Sequence, residues 1–195
     1  DLSSVLQQLL VGLWAAVQLF ALTLIFSLPL GLLVAIGRMS SWAPLRQLGA
    51  KAEREGRAPG GAVLLLRRFR PVQLIVKFCI SILRGTPLML QMMVVYFGPY
   101  YVFHVSLSGY SRLLAAVIAF SINYSAYFAE IYRSGIQSIP QGQYEAAQVL
   151  GYSRAQTFFK IILPQMVKRV LPSVTNEVIT LVKDTSLAFV IAYQE

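Results

Sequence analysis

Apolar residues fill the chain in four long blocks separated by polar ones. Residues 2–37 carry no charged side chain. A bilayer-crossing helix needs about 20 apolar residues, so this block predicts a tilted membrane helix over 9–36, with Pro29 as the place for a kink. A cleavable leader would begin basic and be shorter, whereas this segment starts at Asp1 and meets no basic residue before Arg38. The second block, 71–101, is crossed by Lys77 and Arg84 and bends near Pro87. A third span is predicted over 112–132 and a fourth over 170–193. Pro44, Gly56, Pro59, Gly60 and Gly61 make 38–70 a loop, with a short interfacial helix near 63–69. A turn containing His104 and Gly109 joins the second and third spans. The pattern predicts an all-α membrane protein, a bundle of transmembrane helices in one domain over 1–195.

Composition agrees. Hydrophobic residues make up 56% of the 195 and charged residues only 13%. An ordinary soluble domain carries about a quarter charged residues, so a polar surface could not be built from this chain. The apolar fraction excludes disorder. Cys79 is the only cysteine, which excludes a disulfide framework within the chain. The +9 net charge suggests nucleic acid or a membrane face, and its distribution decides for the membrane. In 38–70 the eight residues Arg38, Arg46, Lys51, Arg54, Arg57, Arg67, Arg68 and Arg70 oppose Glu53 and Glu55, a net +6. The positive-inside rule makes that segment a cytoplasmic loop and puts the N-terminus outside. By the same rule the turn around His104 is external, and 133–169, with Arg133, Arg154, Lys160, Lys168 and Arg169, is cytoplasmic. The missing initiating Met and the apolar finish at Glu195 predict an incomplete chain that lacks its last span.

Polar side chains inside the spans form stripes. At about 100° per residue, Ser173, Asn176, Glu177, Thr180, Lys183 and Asp184 share one arc of the fourth span. Val174, Val178, Leu181 and Val182 oppose them as a lipid face. Asn123, Tyr127, Glu130 and Ser134 form a stripe on the third span. Gln73, Lys77, Arg84 and Gln91 form one on the second, provided its helix continues through Pro87. Charged groups at membrane depth are costly, about +2.5 to 3.5 kcal/mol each for Lys, Arg or Asp on insertion scales, so such stripes face a protein interior or a polar path. Lys77, Arg84 and Lys183 balance Glu130, Glu177 and Asp184. Two readings stay open here: a solute pathway, with Arg84, Glu177 and Asp184 as its leading residues, or ion pairs that fix helix register. Lys77 and Glu130, near the cytoplasmic ends, could also snorkel.

The segment 138–164 is punctuated at both ends. Pro140 and Gly142 mark a turn, Gly151 marks a helix C-terminus, and a short helix between them carries Glu145 in its first turn. Ala146 and Ala147 give that helix a face with little bulk, fit for a groove of another protein or for a plain connection. Ser153 with Gln156 forms a capping-box pattern for a second helix, which Leu163-Pro164 interrupts.

This segment also carries a resemblance. Glu145-Ala146-Ala147, three residues, Gly151, nine residues, Ile161, one residue and Leu163-Pro164 is similar at every fixed position to the EAA loop of bacterial ABC-importer permeases. Arg84-Gly85-Thr86-Pro87-Leu88, the run from Tyr127 to Arg133, Asn176-Glu177-Val178-Ile179 and Lys183-Asp184-Thr185-Ser186-Leu187 resemble the polar amino-acid subgroup. The resemblance implies an ABC-importer type of bundle with a short cytoplasmic coupling helix. It makes Glu145, Ala146, Ala147 and Gly151 the ATPase-coupling residues. It also implies a second permease subunit (identical or related), two copies of an ATPase that bind ATP and Mg, and an extracytoplasmic solute-binding protein. The chain itself would hold no cofactor and no metal, and would move a polar amino acid across the bacterial cytoplasmic membrane. Two departures stand out: the 38–70 loop is long, and the fifth span normal in such permeases is missing.

With the stripes come Arg84, Glu177, Asp184, Asn176, Thr180, Lys183 and Glu130 as candidate pathway residues. No catalytic residue is expected. There is no GxxxxGK[ST] phosphate loop, so ATP falls to a partner, and there is no HExxH or GxSxG. His104 is the only histidine, and Cys79 reads as a buried small apolar residue. A secondary transporter or channel using the charged stripes for protons is the strongest competitor, and the EAA segment, for which a proton-driven carrier has no use, separates the two.

Overall fold

The computed structural model describes residues 2–40, 70–104 and 112–192. They form α1 (Leu2–Arg38), α2 (Pro71–Gly85), α3 (Leu88–Phe103), α4 (Arg112–Gln137), α5 (Gln141–Val149), α6 (Arg154–Thr157), a π-helical turn (Phe158–Ile162) and α7 (Leu163–Ala192). Among the described residues no strand occurs, as the all-α reading requires. The interfacial helix expected near 63–69 and most of the basic loop lie outside the described residues.

Helix α4 is the hub, packed against α1, α2, α3 and α7. Its core side chains Phe120, Tyr124 and Phe128 meet Leu19 from α1, Met92 from α3 and Leu181 from α7. The α1 contact is made by small residues at four-residue spacing: Thr23, Ser27, Gly31 and Ala35 are all buried. Small side chains let two backbones approach, which is how helices associate where lipid gives no hydrophobic drive. At Gly31 the approach is closest. A Cβ there would sit 2.8 Å from the Phe128 Cβ and 3.2 Å from the Ser125 carbonyl oxygen. Gly135 does the same for α4 and α7, where a Cβ would collide with Val170 and Met166.

Helices α1 and α4 are each long and apolar enough to cross a bilayer, and α2 with α3 together have the length and composition of a third, as a broken span or a re-entrant loop. The break is sharper than the kink expected near Pro87: the two halves meet at 108°. Thr86 is forced into the extended region, as a residue before proline is, so α2 ends at Gly85 and a new helix starts at Leu88. The carbonyls exposed by the break need partners in a bilayer, and side chains supply several of them. The Thr86 hydroxyl donates to the Ile82 carbonyl at 2.8 Å, and Gln91 Nε2 and Asn123 Nδ2 donate to that of Leu83 at 2.8 and 3.2 Å. Gln91 therefore does not extend the stripe of Gln73, Lys77 and Arg84. It folds back over the break.

Three further expectations are corrected. Leu163-Pro164 does not interrupt the helix that Ser153 opens, because a π turn accommodates the proline. The Leu163 amide reaches five residues back to the Phe158 carbonyl, and the chain stays helical from Arg154 to Ala192. Helix α7 thus begins well before residue 170. Its Glu177, Lys183 and Asp184 keep it outside the two helices that qualify as spans alone. Its faces are not divided as the lipid-face reading has them: Val182 is exposed, but Glu177, Thr180 and Asp184 are half-buried. Leu181 is fully buried and Val174 packs on the core, while Ser173, Asn176 and Lys183 are exposed on the single chain. The core of one chain takes Val174 and Leu181 and reaches Asp184 through Tyr124, which leaves Ser173, Asn176 and Lys183 turned outward. Cys79, read as buried, is exposed.

Candidate functional site

Two arrangements follow from these helices. The first is a polar tract along α2, α4 and α7. At its α1 end, the Arg133 Nε and Nη2 donate to Glu130 Oε2 at 2.9 and 2.6 Å, and Arg38 Nε lies 3.4 Å from Glu130 Oε1. Residues 130 and 133 meet because they are one helical turn apart on α4. Arg38, the last residue of α1, arrives through the small-residue packing of that helix. Glu130 therefore stands in an ion-pair cluster with two cations that the intramembrane charge balance had not included.

Deeper along the tract, the Arg84 guanidinium lies 5.1 Å from the centre of the Tyr127 ring. Glu177 on α7 is within electrostatic reach of Arg84 and of Asp184. Tyr124 donates from its hydroxyl to Asp184 Oδ2 at 2.6 Å. Asp184 is thus tied to α4 through Tyr124, and Arg84 stands over Tyr127 of the same helix. Thr180 turns its hydroxyl to the Asn176 carbonyl of its own helix, and Asn176 and Lys183 are exposed beyond the tract. Asn123 is buried, where it donates to Gln91 Oε1 at 3.0 Å and supports the break.

Tyr124 is the residue that sequence reasoning missed. Its signal was present as an aromatic ladder, Phe120, Tyr124, Phe128 and Tyr132, at four-residue spacing. Neighbouring rings in it lie 6.3 to 6.4 Å apart.

The second arrangement is the segment after α4. Helix α5 opens at Pro140, so Glu145 falls in its middle and not in its first turn. It ends at Gly151, whose φ of +75° is the left-handed conformation that glycine alone enters freely. The Gly151 amide donates to the Gln148 carbonyl and the Tyr152 amide to that of Ala147, both at 3.0 Å, which closes the last turn. Ser153 and Gln156 then form the expected capping box, with bonds of 3.3 and 2.9 Å. The small face is split. Ala146 is exposed and Ala147 is completely buried, because α5 rests against the π turn and α6. Only part of the proposed face is therefore available to another protein: Glu145, Ala146, Val149, Leu150 and Gly151 are exposed.

The segment is fixed to both long helices. Arg169 of α7 donates to the Ser138 carbonyl, and Gln165 donates to Gln143 of α5 at 3.1 Å. Ile162 of the π turn is fully buried. Helix α5 is thus tied to α7 through Gln143 and follows α4 directly in the chain.

Residues 58–194 match the protein family described as the inner membrane component of binding-protein-dependent transport systems. The chain belongs to that family. Among its relatives is the L-cystine transport system permease protein TcyB of Bacillus subtilis (strain 168), 33% identical over 177 residues, covering 91% of this chain and 62% of the relative. The arginine transport system permease protein ArtQ of the same organism is 43% identical over 125 residues, 63% of this chain and 55% of ArtQ. The chain thus spans somewhat less than two thirds of the length of these curated relatives. A crystal structure of an amino acid ABC transporter with histidines superposes with a TM-score of 0.72 at 29% identity, over 99% of this chain and 77% of that one. That likeness covers the whole helical arrangement described above.

Proposed function

We propose that this chain is the membrane-spanning permease subunit of an ATP-driven ABC importer for a polar amino acid. The observation that carries the reading is the α5 segment, a short capped helix with Glu145 and Ala146 exposed and a rigid attachment to two long helices, α4 and α7. In this reading Glu145, Ala146 and Gly151 dock on one of two ATPase subunits, which bind ATP and Mg. Ala147 seats the docking helix against its own chain. The outward polar side of α7 faces a second permease subunit, identical or related, across the solute path. Arg84, Glu177 and Asp184 line that path, with Asn176, Thr180 and Lys183 beside them. A zwitterionic amino acid, which carries both an ammonium and a carboxylate, suits such mixed charge. Glu130 belongs with Arg38 and Arg133 as the structural clamp at the end of the tract.

The complex lies in the bacterial cytoplasmic membrane, with the basic 38–70 loop inside, the N-terminus outside and an extracytoplasmic binding protein delivering solute. The domain covers 1–195 as one unit, with spans near 9–36, 71–101, 112–132 and 170–193 and a coupling segment over 138–164. In this reading no nucleic acid takes part. Uptake into vesicles containing the purified complex should require ATP and survive an uncoupler. Uptake that follows the proton gradient and ignores ATP would refute the reading.

A further inference from the structure

The end of α1, together with α2 and α4, encloses an open cavity of about 380 Å³ lined by Arg38, Lys77, Ser81, Arg84 and Glu130. Its charges do not balance. Glu130, the one acid on its wall, is already held by Arg133 and Arg38. Lys77 and Arg84 have no carboxylate within ion-pair distance among the described residues. Side chains on a helix lean toward its N-terminus, so Arg84 reaches back along α2 toward Lys77 and the membrane face where α2 begins. That face is also where α1 ends at Arg38. Charged groups at membrane depth pair or face water, so Lys77 and Arg84, exposed beside a carboxylate that is already held, suit an added anion.

The flank of α2 next to Lys77 and Ser81 is apolar. Leu74, Phe78 and Ile82 follow one another at four-residue spacing and are 50%, 67% and 47% exposed. A cation pocket that opens beside an apolar strip matches a molecule with an anionic head and hydrocarbon tails. Basic pockets between helices on the cytoplasmic side are where anionic lipid head groups bind. We propose that this cavity seats the phosphate of an anionic phospholipid from the cytoplasmic leaflet, with an acyl chain lying along Leu74, Phe78 and Ile82. The inference rests on the membrane orientation given under the proposed function.

The test uses the purified complex with Trp14 and Trp42 replaced by Phe and a single reporter, Phe78→Trp. It is reconstituted in phosphatidylcholine vesicles containing dibrominated phosphatidylglycerol or dibrominated phosphatidylcholine. Quenching should give at least about a five-fold preference for phosphatidylglycerol, and Lys77→Gln should lower that preference about five-fold. Native mass spectrometry of the complex without the reporter substitutions should retain phosphatidylglycerol over phosphatidylcholine. Equal quenching by the two lipids, or a preference unchanged in Lys77→Gln, overturns the proposal. So does a preference abolished by excess inorganic phosphate, which would make the pocket a free-anion site, or by excess free amino acid, which would make it part of the solute path. ATP-driven uptake is measured separately on the same vesicles: its loss with the lipid preference intact strikes the transport reading alone.

Discussion

Gly151→Ala isolates the stop of the docking helix from every other feature of the segment. Nothing lies within 4 Å of where the new Cβ would be, so the substitution creates no collision. Its whole effect comes from φ. At +75° an L-residue pays about 1–2 kcal/mol that glycine does not. That is a factor of about 5–30 in the equilibrium between a closed and a frayed last turn. The helix has only nine residues and cannot stand alone in water, so fraying its last turn removes a large part of it. The amide to follow by hydrogen exchange in the reconstituted complex is that of Tyr152, which is bound to the Ala147 carbonyl. Its exchange should quicken by about 5- to 30-fold in Gly151→Ala, and less in Gly151→Asn, since asparagine tolerates the left-handed region. Gly142→Ala, also in open space but inside the helix, should leave it unchanged or slower. Solute moved per ATP hydrolysed should fall in the order of the exchange rates. Native exchange of the Tyr152 amide in Gly151→Ala would refute the argument from φ. Equal effects of Ala and Asn would show that something other than backbone conformation holds the stop.

Three further predictions follow from the packing and the tract. Ala146→Cys should react with a water-soluble maleimide and crosslink to the ATPase subunit, whereas Ala147→Cys should stay unlabelled, because Ala147 is fully buried. Equal labelling would mean that α5 does not rest on the π turn. Gly135→Ala should destabilise the chain by about 1–3 kcal/mol through overpacking at the α4–α7 crossing, read as a lower melting temperature; Val170→Ala in the same chain should restore most of it by removing the side chain that the new Cβ meets. A double variant as unstable as the single one would put the closest contact elsewhere. Glu177→Gln should abolish uptake while the complex still assembles on size-exclusion chromatography, and loss of assembly would instead make Glu177 a register-fixing group.

The α5 segment was legible in sequence because its signals are local. A left-handed helix stop needs glycine, and a capping box needs Ser and Gln three apart. Neither depends on what lies across the membrane. The polar tract was legible as stripes, since helical period alone places Glu130 near Tyr127 and Glu177 near Thr180. What the stripes face was not legible. Periodicity says that α7 has two sides, but it does not say that the apolar one, with Val174 and Leu181, goes inward against Phe120 and Tyr124. That choice depends on how α4 fills the core. The same holds for Ala147, which local pattern paired with Ala146 and which packing separates from it.

The sequence by itself determined that the chain is helical and membrane-bound, where α5 stops, and which residues carry charge into the spans. These follow from apolar length, residue conformational limits and the cost of burying charge, all properties of short stretches. Only the tertiary structure decided that Arg38 clamps Glu130, that Tyr124 holds Asp184, and that Gln91 and Asn123 repair a broken helix at Pro87. The first two join groups far apart in the chain, across the α1–α4 and α4–α7 crossings. Gly31 and Gly135 permit those crossings because they leave room for a neighbouring helix where a larger side chain would not.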